Sequence, residues 1–333
     1  MLRHLALPAL LFLVLINRSL ATLPYLGHDV SSLIMLESEQ KCYKNSAGQV
    51  QPLETILKNG GAKAIRMRLW VNPVEGVYNV DYNLQLARRA QAAGLAVYLD
   101  FHYSDTWADP AHQTKPAAWS SLSFSSLVSQ IGPYTQQTVQ AFRSGGVRLD
   151  LISIGNEIRN GLLWPDGESP NWSNAAALLK SASQGARAVT STSSWTAPLI
   201  GIHIDNGWSL STQTGFYDSI LNTGQISLSD FDVQFVSYYP FFSNQASLAN
   251  LQSSLNGMAS KYGKQLIIAE TNWPVECTST SADPFPPSTS NIPFSASGQT
   301  TWVHDIINVV QSVPNGLGKG LFYWEPAWLN NTG

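Results

Sequence analysis

Short apolar runs recur along the chain at intervals of roughly 30 to 55 residues, and polar or aromatic side chains follow each run. An apolar run of this length is typical of a strand that is buried on both faces. The runs predict eight strands, at 26–31, 63–71, 96–103, 149–157, 198–205, 231–240, 265–272 and 320–325.

Segments with apolar residues at helical spacing lie between these strands and predict helices at 82–94, 174–191, 248–262 and 301–313. Strands and helices that alternate over the whole chain favour an α/β fold in which a parallel sheet closes into a (β/α)8 TIM barrel. A doubly wound open sheet is the alternative. That fold usually has a glycine-rich phosphate loop after its first strand, and this sequence has none there.

The segment at 278–297 is rich in Ser, Thr and Pro, a composition that also occurs in linkers between domains. A further helix and strand follow it, so we interpret it as a long loop after the seventh strand. We therefore expect one catalytic barrel domain over residues 22–333.

The first 21 residues are typical of a secretory signal peptide. A weakly basic start precedes an apolar run at 5–16, which is too short to span a bilayer. Ser19 and Ala21 are small residues at the cleavage spacing. A short membrane anchor is the alternative. We expect cleavage after Ala21 and a secreted, extracellular protein that is not attached to a membrane.

The composition of the full sequence limits the partners of the protein. Charged residues make up 12% of the sequence, about half the usual share. The formal net charge is −3, which argues against nucleic acid because that partner requires a basic surface. The chain has 11 Trp, 12 Tyr and 12 Phe, and rings of this kind stack on the flat faces of uncharged ligands.

Two further residue types bear on a secreted chain. Cys42 and Cys277 are its two cysteines, and the sequence leaves open whether they pair. Asn171 and Asn330 begin N-glycosylation sequons, which we expect at the surface.

Two of the apolar runs end in a glutamate. Glu157 follows Asn156 at the end of the fourth predicted strand, and Glu270 lies at the end of the seventh. A carboxylate at the exit of a buried strand is costly unless it is paired or used, and barrel enzymes place their catalytic groups at these ends. Glycoside hydrolysis requires one carboxyl group as acid and a second carboxylate. The pair therefore predicts that chemistry.

Side chains at other strand ends complete the candidate site. We expect Arg68 to hold Glu270 ionised, His102 to orient a neighbour, and Asn156 to bind the 2-hydroxyl of a sugar. For Arg66 two interpretations stay open, namely contact with a catalytic carboxylate and a buried ion pair in the barrel floor. Hydroxyl-rich ligands require polar groups beside rings, and the expected substrate-binding residues are Asp105, Trp107, His203, Asp205, Tyr239, Trp273 and Trp324.

Metal and serine chemistry fit the sequence less well. Its six histidines are scattered, and neither an HExxH motif nor a Cys/His cluster occurs. The sequence also lacks the GxSxG motif of serine esterases. We expect neither a metal nor a cofactor.

Seven stretches match one family in order, namely GHDVSSL (27–33), IRMRLWVNP (65–73), FHYSDTWADP (101–110), ISIGNEIRNGLLWP (152–165), VSYYPFF (236–242), AETNWP (269–274) and YWEPAW (323–328). The chain resembles the secreted endo-β-1,4-galactanases of glycoside hydrolase family fifty-three. The resemblance implies a (β/α)8 barrel with Glu157 as proton donor and base and Glu270 as nucleophile.

The resemblance also implies that the protein cleaves β-1,4-galactosidic bonds within the (arabino)galactan side chains of pectin, with retention of configuration. The polysaccharide is then the only expected partner, and a monomer is the default for a secreted glycanase. Two alternatives remain. One is another retaining barrel glycanase that acts on mannan, xylan or β-glucan, and the other is a carbohydrate-binding protein on an inactive barrel.

Three departures accompany the resemblance. The family usually has Ala where this chain has His28, and commonly Asp where it has Asn206. The sequence also ends soon after its eighth strand, whereas family members continue through a final helix with a cysteine that can bridge the one matching Cys277. We therefore expect a barrel that lacks its last helix and exposes apolar surface on its eighth and first strands.

Overall fold

The eight predicted strands form a closed parallel barrel in the computed structural model, which describes residues 23–276 and 285–328. The barrel strands are β1 (Tyr25–Asp29), β2 (Ala64–Leu69), β3 (Ala96–Phe101), β4 (Leu151–Ile154), β7 (Leu199–Ile204), β8 (Val233–Ser237), β9 (Gln265–Glu270) and β10 (Gly318–Tyr323). A two-stranded ribbon pairs β5 (Gly161–Leu162) with β6 (Gly167–Glu168). Around the barrel the order is β1-β10-β9-β8-β7-β4-β3-β2, which confirms the predicted (β/α)8 fold.

Helices lie between the barrel strands along the chain. They are α1 (Leu33–Ser38), α2 (Leu53–Asn59), α3 (Val80–Ala92), α4 (Phe124–Ser144), α5 (Trp172–Arg187), α6 (Leu210–Leu221), α7 (Leu248–Tyr262) and α8 (Ala296–Gln311). The four predicted helices correspond to α3, α5, α7 and α8. The sequence did not predict α1, α2, α4 and α6. Of these, α4 begins in a serine-rich stretch and contains Pro133, and such residues disfavour helix interiors.

The interior of the barrel changes from apolar to charged along its axis. Alternate strand residues point inward, so β2 contributes first Ala64 and then Arg66 and Arg68. Near the amino ends of the strands, the rings of Tyr98 and Phe235 stack with centroids 4.5 Å apart. The charged side chains follow toward the carboxyl ends, where they are positioned for chemistry.

The expected exposure of apolar surface on the eighth and first strands is wrong for the eighth strand, β10. No helix follows β10 within the described part of the chain, which reaches Trp328. Leu321 and Tyr323 of β10 are nevertheless buried, and α8 packs against this strand. Leu26 and His28 of β1 are half-buried.

Several predicted features lie wholly or partly outside the described residues. They are the signal peptide at 1–21, Cys277, Asn330 and part of the loop at 278–297. The loop leads from β9 into α8, which begins at Ala296. Asn171 is exposed just before α5. Among the described helices, none is both long and apolar enough to cross a membrane.

Candidate active site

A cleft of about 680 Å³ opens at the carboxyl ends of the barrel strands, and both predicted glutamates line it. A larger cavity of about 820 Å³ lies at the opposite end of the barrel. The cleft is the candidate active site, because it combines two neighbouring carboxyl groups with exposed aromatic rings. Such a combination suits a hydroxyl-rich ligand.

Glu157 follows β4 and is half-buried, with a backbone φ of 49°. Burial raises the pKa of its carboxyl group well above the usual range, and the negative charges of Glu270 and Asp205 raise it further. A hydrogen bond from Ser237 opposes this rise. Glu157 makes no ion pair with a cation within the described residues, so its protonated form is favoured.

Glu270 ends β9 and is 7% exposed. Its Oε1 lies 2.8 Å from Arg66 Nη2, and its Oε2 accepts a hydrogen bond of 2.8 Å from the Tyr239 hydroxyl. Burial raises the pKa of Glu270, whereas Arg66 and Tyr239 act in the opposite direction. These two contacts make Glu270 the better candidate for the ionised member of the pair.

The prediction that Arg68 holds Glu270 is wrong, because Arg66 holds it. The guanidinium of Arg66 also contacts Asp29 Oδ2 at 2.5 Å and Asp100 Oδ2 at 2.7 Å. Arg68 instead lies 2.5 Å from Glu325 Oε1. The two arginines share one face of β2, and register along the barrel decides which carboxylate each one reaches.

Asn156 and His102 lie beside this network. Asn156 Oδ1 accepts a hydrogen bond of 2.9 Å from Arg66, and its Nδ2 donates to the carbonyl oxygen of Ala108 at 2.7 Å. His102 Nδ1 accepts from Trp70 Nε1 and from the backbone N–H of Ala108, each at 3.2 Å. Its proton is therefore assigned to Nε2, which lies 3.2 Å from Asp100. His102 can thus orient the network.

His203 does not lie where a substrate contact requires it. Its side chain is fully buried, and its Nε2 lies 2.8 Å from Ser237 Oγ. Burial lowers the pKa of His203 to about 3, so the ring is neutral. Ser237 in turn hydrogen-bonds Glu157, so His203 contacts the candidate acid indirectly, through the Ser237 hydroxyl. The prediction that His203 binds substrate is wrong, because its side chain is fully buried.

The two aspartates predicted to bind substrate have other partners. Asp105 accepts backbone hydrogen bonds of 2.8 Å from Asn72 and from Ala117, so it joins two loops. Asp205 lies 2.9 Å from Arg159 Nε, and burial raises its pKa to about 6. Neither aspartate is among the residues that line the cleft, and substrate binding by Asp105 and Asp205 stays a prediction.

Aromatic rings form the walls of the cleft. Trp107 is 38% exposed and stacks on Trp328, with ring centroids 6.2 Å apart. Trp324 lies 6.5 Å from Trp107. Trp273 lines the cleft but is 2% exposed, because its ring packs in the core. Tyr239 also lines the cleft.

Several residues at or beneath this cleft were not predicted from the sequence, and four of them belong to the site's walls and charge network. Trp328, Phe241 and Phe242 line it, and Glu325 neutralises Arg68. All four occur in the stretches VSYYPFF and YWEPAW, so these stretches were the available signal. The sequence did not indicate which of their side chains face the cleft.

Comparison with known proteins identifies close relatives. Residues 25–333 match the sequence model of glycosyl hydrolase family 53. An arabinogalactan endo-β-1,4-galactanase of Thermothelomyces thermophilus is 48% identical over 309 residues, which are 93% of this chain and 91% of the relative. A protein of the same name from Humicola insolens is 49% identical with the same coverage.

Solved structures agree with these sequence matches. A structure described as one of two fungal β-1,4-galactanases superposes with a TM-score of 0.88 at 48% identity, covering 92% of this chain and 90% of that one. The family 53 catalytic domain of Ignisphaera aggregans superposes with a TM-score of 0.81 at 29% identity, covering 92% and 85%. A xylanase of Thermotoga maritima, 12% identical with a TM-score of 0.57, shares the fold alone.

Proposed function

The chain belongs to glycosyl hydrolase family 53, and we propose that it cleaves β-1,4-galactosidic bonds within (arabino)galactan chains of pectin. The observation that carries this proposal is the unequal pair of glutamates in the cleft. Glu270 contacts Arg66 and Tyr239, whereas Glu157 is half-buried beside the negative charges of Glu270 and Asp205. The relatives named as galactanases support the choice of substrate.

The first chemical step joins the sugar to the enzyme. Glu157 donates its proton to the glycosidic oxygen while a carboxylate oxygen of Glu270 attacks the anomeric carbon. The bond to the leaving chain breaks as the bond to Glu270 forms. Tyr239 and Arg66 hold the attacking carboxylate in place, so little reorganisation is needed.

The second step releases the sugar. Glu157, now ionised, takes a proton from a water molecule, and the resulting oxygen attacks the anomeric carbon from the side that the leaving chain vacated. Two inversions give net retention. Asn156 Oδ1, which already accepts from Arg66, has a second lone pair available for the 2-hydroxyl.

Aromatic side chains offer stacking surfaces for the sugars on either side of the reacting bond. Trp107, Trp324 and Trp328 lie on one side, and Phe241 and Phe242 lie near Tyr239. The C–H faces of a galactose ring fit such surfaces. An internal segment of a polymer then occupies the open cleft, which supports endo action.

The test measures reducing-sugar release from β-1,4-galactan, with mannan, xylan and β-glucan in parallel. We expect galactan alone to be cleaved and the β-anomer of the product to appear first by NMR. Glu157→Gln and Glu270→Gln should each lower kcat by about 10³-fold, because each removes a group that acts in the transition state. Glu75→Gln alters an exposed carboxylate outside the cleft and should leave kcat unchanged.

The same preparation tests secretion, which we also propose. The protein is collected from the culture medium, and N-terminal sequencing should begin at Thr22. In the NMR measurement, an α-anomer as the first product would refute the retaining mechanism. Near-normal turnover by Glu157→Gln would refute its assignment as the acid.

A further inference from the structure

A second cavity, of about 820 Å³, lies at the amino ends of the barrel strands, on the face opposite the cleft. Its walls come from the segments that lead into β2, β3, β4 and β7. In barrels of this type the amino face usually serves stability rather than chemistry. A cavity of this size on that face is large enough for a small ligand.

The charged residues of this amino-face cavity are mostly cations, although the whole chain carries a net negative charge. The formal net charge of the protein is −3, yet four cations line the cavity, namely Lys58, Lys63, Arg143 and Arg148. Asp150 is the one acidic residue among its described lining residues. Like charges gathered in a concave surface repel one another and focus a positive potential, so the arrangement favours an anion.

Two of these cations keep most of their donors available. Lys58 Nζ donates to the carbonyl oxygen of Gly94 at 2.7 Å, and Arg143 Nη1 donates to that of Thr190 at 3.4 Å. Neither has a carboxylate partner in the described parts of the chain. An ammonium offers three N–H donors and a guanidinium five, and a bound carboxylate would satisfy several of them.

The remaining wall offers groups that suit a sugar. The Arg143 guanidinium lies 5.5 Å from the centroid of the Trp195 ring, and the polar edge of that ring is bonded to Val147. Thr192 and Ser194 are exposed and contribute hydroxyl groups. The indole is buried and supports the guanidinium from behind, whereas the cations and hydroxyls face a ligand that carries both hydroxyls and a carboxylate.

We propose that the amino-face cavity binds a uronic-acid oligosaccharide. Arg148 is paired with Asp150 at 2.5 Å, so the preference for an anion rests on the excess of cations that remains, above all on Lys58 and Arg143. The choice of a uronate over other anions rests on the proposed function, because the proposed substrate is a sugar polymer and a uronate is a sugar that carries a carboxylate. The protein would then hold the acidic polymer on one face and cleave the neutral chain on the other.

The test is a calorimetric titration of the full-length mature protein with a short oligogalacturonate at low ionic strength. Lys58→Gln/Arg143→Gln removes the two cations that lack carboxylate partners. We expect it to weaken binding about tenfold, because each loses a charge-assisted hydrogen bond. Lys41→Gln/Lys44→Gln removes the same charge outside the cavity and should bind as the wild type does. A circular-dichroism melt verifies that each variant is folded.

Three outcomes would overturn the proposal. They are no binding by the wild type, an equal loss in both double variants, and competition by a neutral galacto-oligosaccharide, which would place the ligand in the cleft. Inorganic phosphate that binds as tightly as the oligogalacturonate would also overturn the assignment to a uronate. Since binding is measured without hydrolysis, a chain that binds the uronate but does not cleave galactan refutes the proposed function alone.

Discussion

At the scale of single residues, two buried arginines on β2 divide the neutralisation of the carboxylates around the barrel mouth. Arg66 contacts Asp29, Asp100 and Glu270, and Arg68 contacts Glu325. Buried charges are tolerated when partners and hydrogen bonds replace the lost water. The result is a network of ion pairs from which Glu157 is left out, since it pairs with no cation in the described part of the chain.

The same frame predicts a shift in the pH dependence of activity. Asp205→Asn removes a negative charge that raises the pKa of Glu157. The pKa of Glu157 should therefore fall, and the alkaline limb of kcat/KM should move to lower pH, because the acid loses its proton earlier. The pKa of Asp205 is about 6, so the difference between variant and wild type should grow above that pH.

Asp218→Asn is the matched control for this measurement. Asp218 is 40% exposed and pairs with Lys261, away from the cleft. Its pH profile should overlay that of the wild type. If Asp205→Asn gave the same profile as well, Asp205 would not contribute to the protonation of Glu157.

At the scale of elements, close contact between α4 and α5 anchors the helical layer beside β4. A Cβ atom added at Gly185 of α5 would lie 2.1 Å from the carbonyl oxygen of Gly132 in α4. A backbone oxygen cannot move aside as the end of a side chain can. The two helices therefore require glycine here, although glycine weakens a helix interior.

Gly185→Ala should destabilise the protein by about 1–3 kcal/mol, because the methyl group would overpack this contact. Gly215→Ala is a matched control in α6, where a Cβ atom meets nothing within 4 Å. That change should stabilise by about 0.5–1 kcal/mol, as an alanine loses less backbone entropy. Urea denaturation measures both free energies of unfolding. Equal effects of the two substitutions would contradict the close contact.

At the scale of the whole molecule, the barrel separates two kinds of surface. The carboxyl end holds paired carboxylates and exposed rings, whereas the amino end gathers cations. The apolar layer around Tyr98 and Phe235 lies between them. A loss of galactan cleavage and a loss of uronate binding are therefore expected from different sets of substitutions.

Stability of the whole fold should depend on pH through His28, which is half-buried on β1. Burial lowers the pKa of His28 to about 4, whereas an unfolded histidine titrates near about 6.5. Between these values the unfolded chain binds more protons, so stability falls as pH drops from about 6.5 to about 4. His28→Ala removes this contribution, and the melting temperature should then fall less between pH 7 and pH 4 than in the wild type. An unchanged difference would show that His28 is solvated.

The sequence by itself determined the elements and the chemical type of the site. Alternation of apolar runs with helical segments predicted all eight barrel strands, and the glutamates at 157 and 270 predicted glycoside hydrolysis. These signals are local, because a buried strand must be apolar along its length and a carboxylate at its exit must have a partner or a use. The long helix α4 was not predicted, because Pro133 and the serines near its start have a low helix propensity.

Tertiary structure alone decided which side chains meet. Arg66 rather than Arg68 reaches Glu270, and His203 lies beneath the acid instead of in the cleft. Residues at equivalent strand ends look alike in sequence, but barrel closure and strand register set their heights and neighbours. The cations of the amino-face cavity come from segments far apart in the chain, so only the closed barrel brings them together.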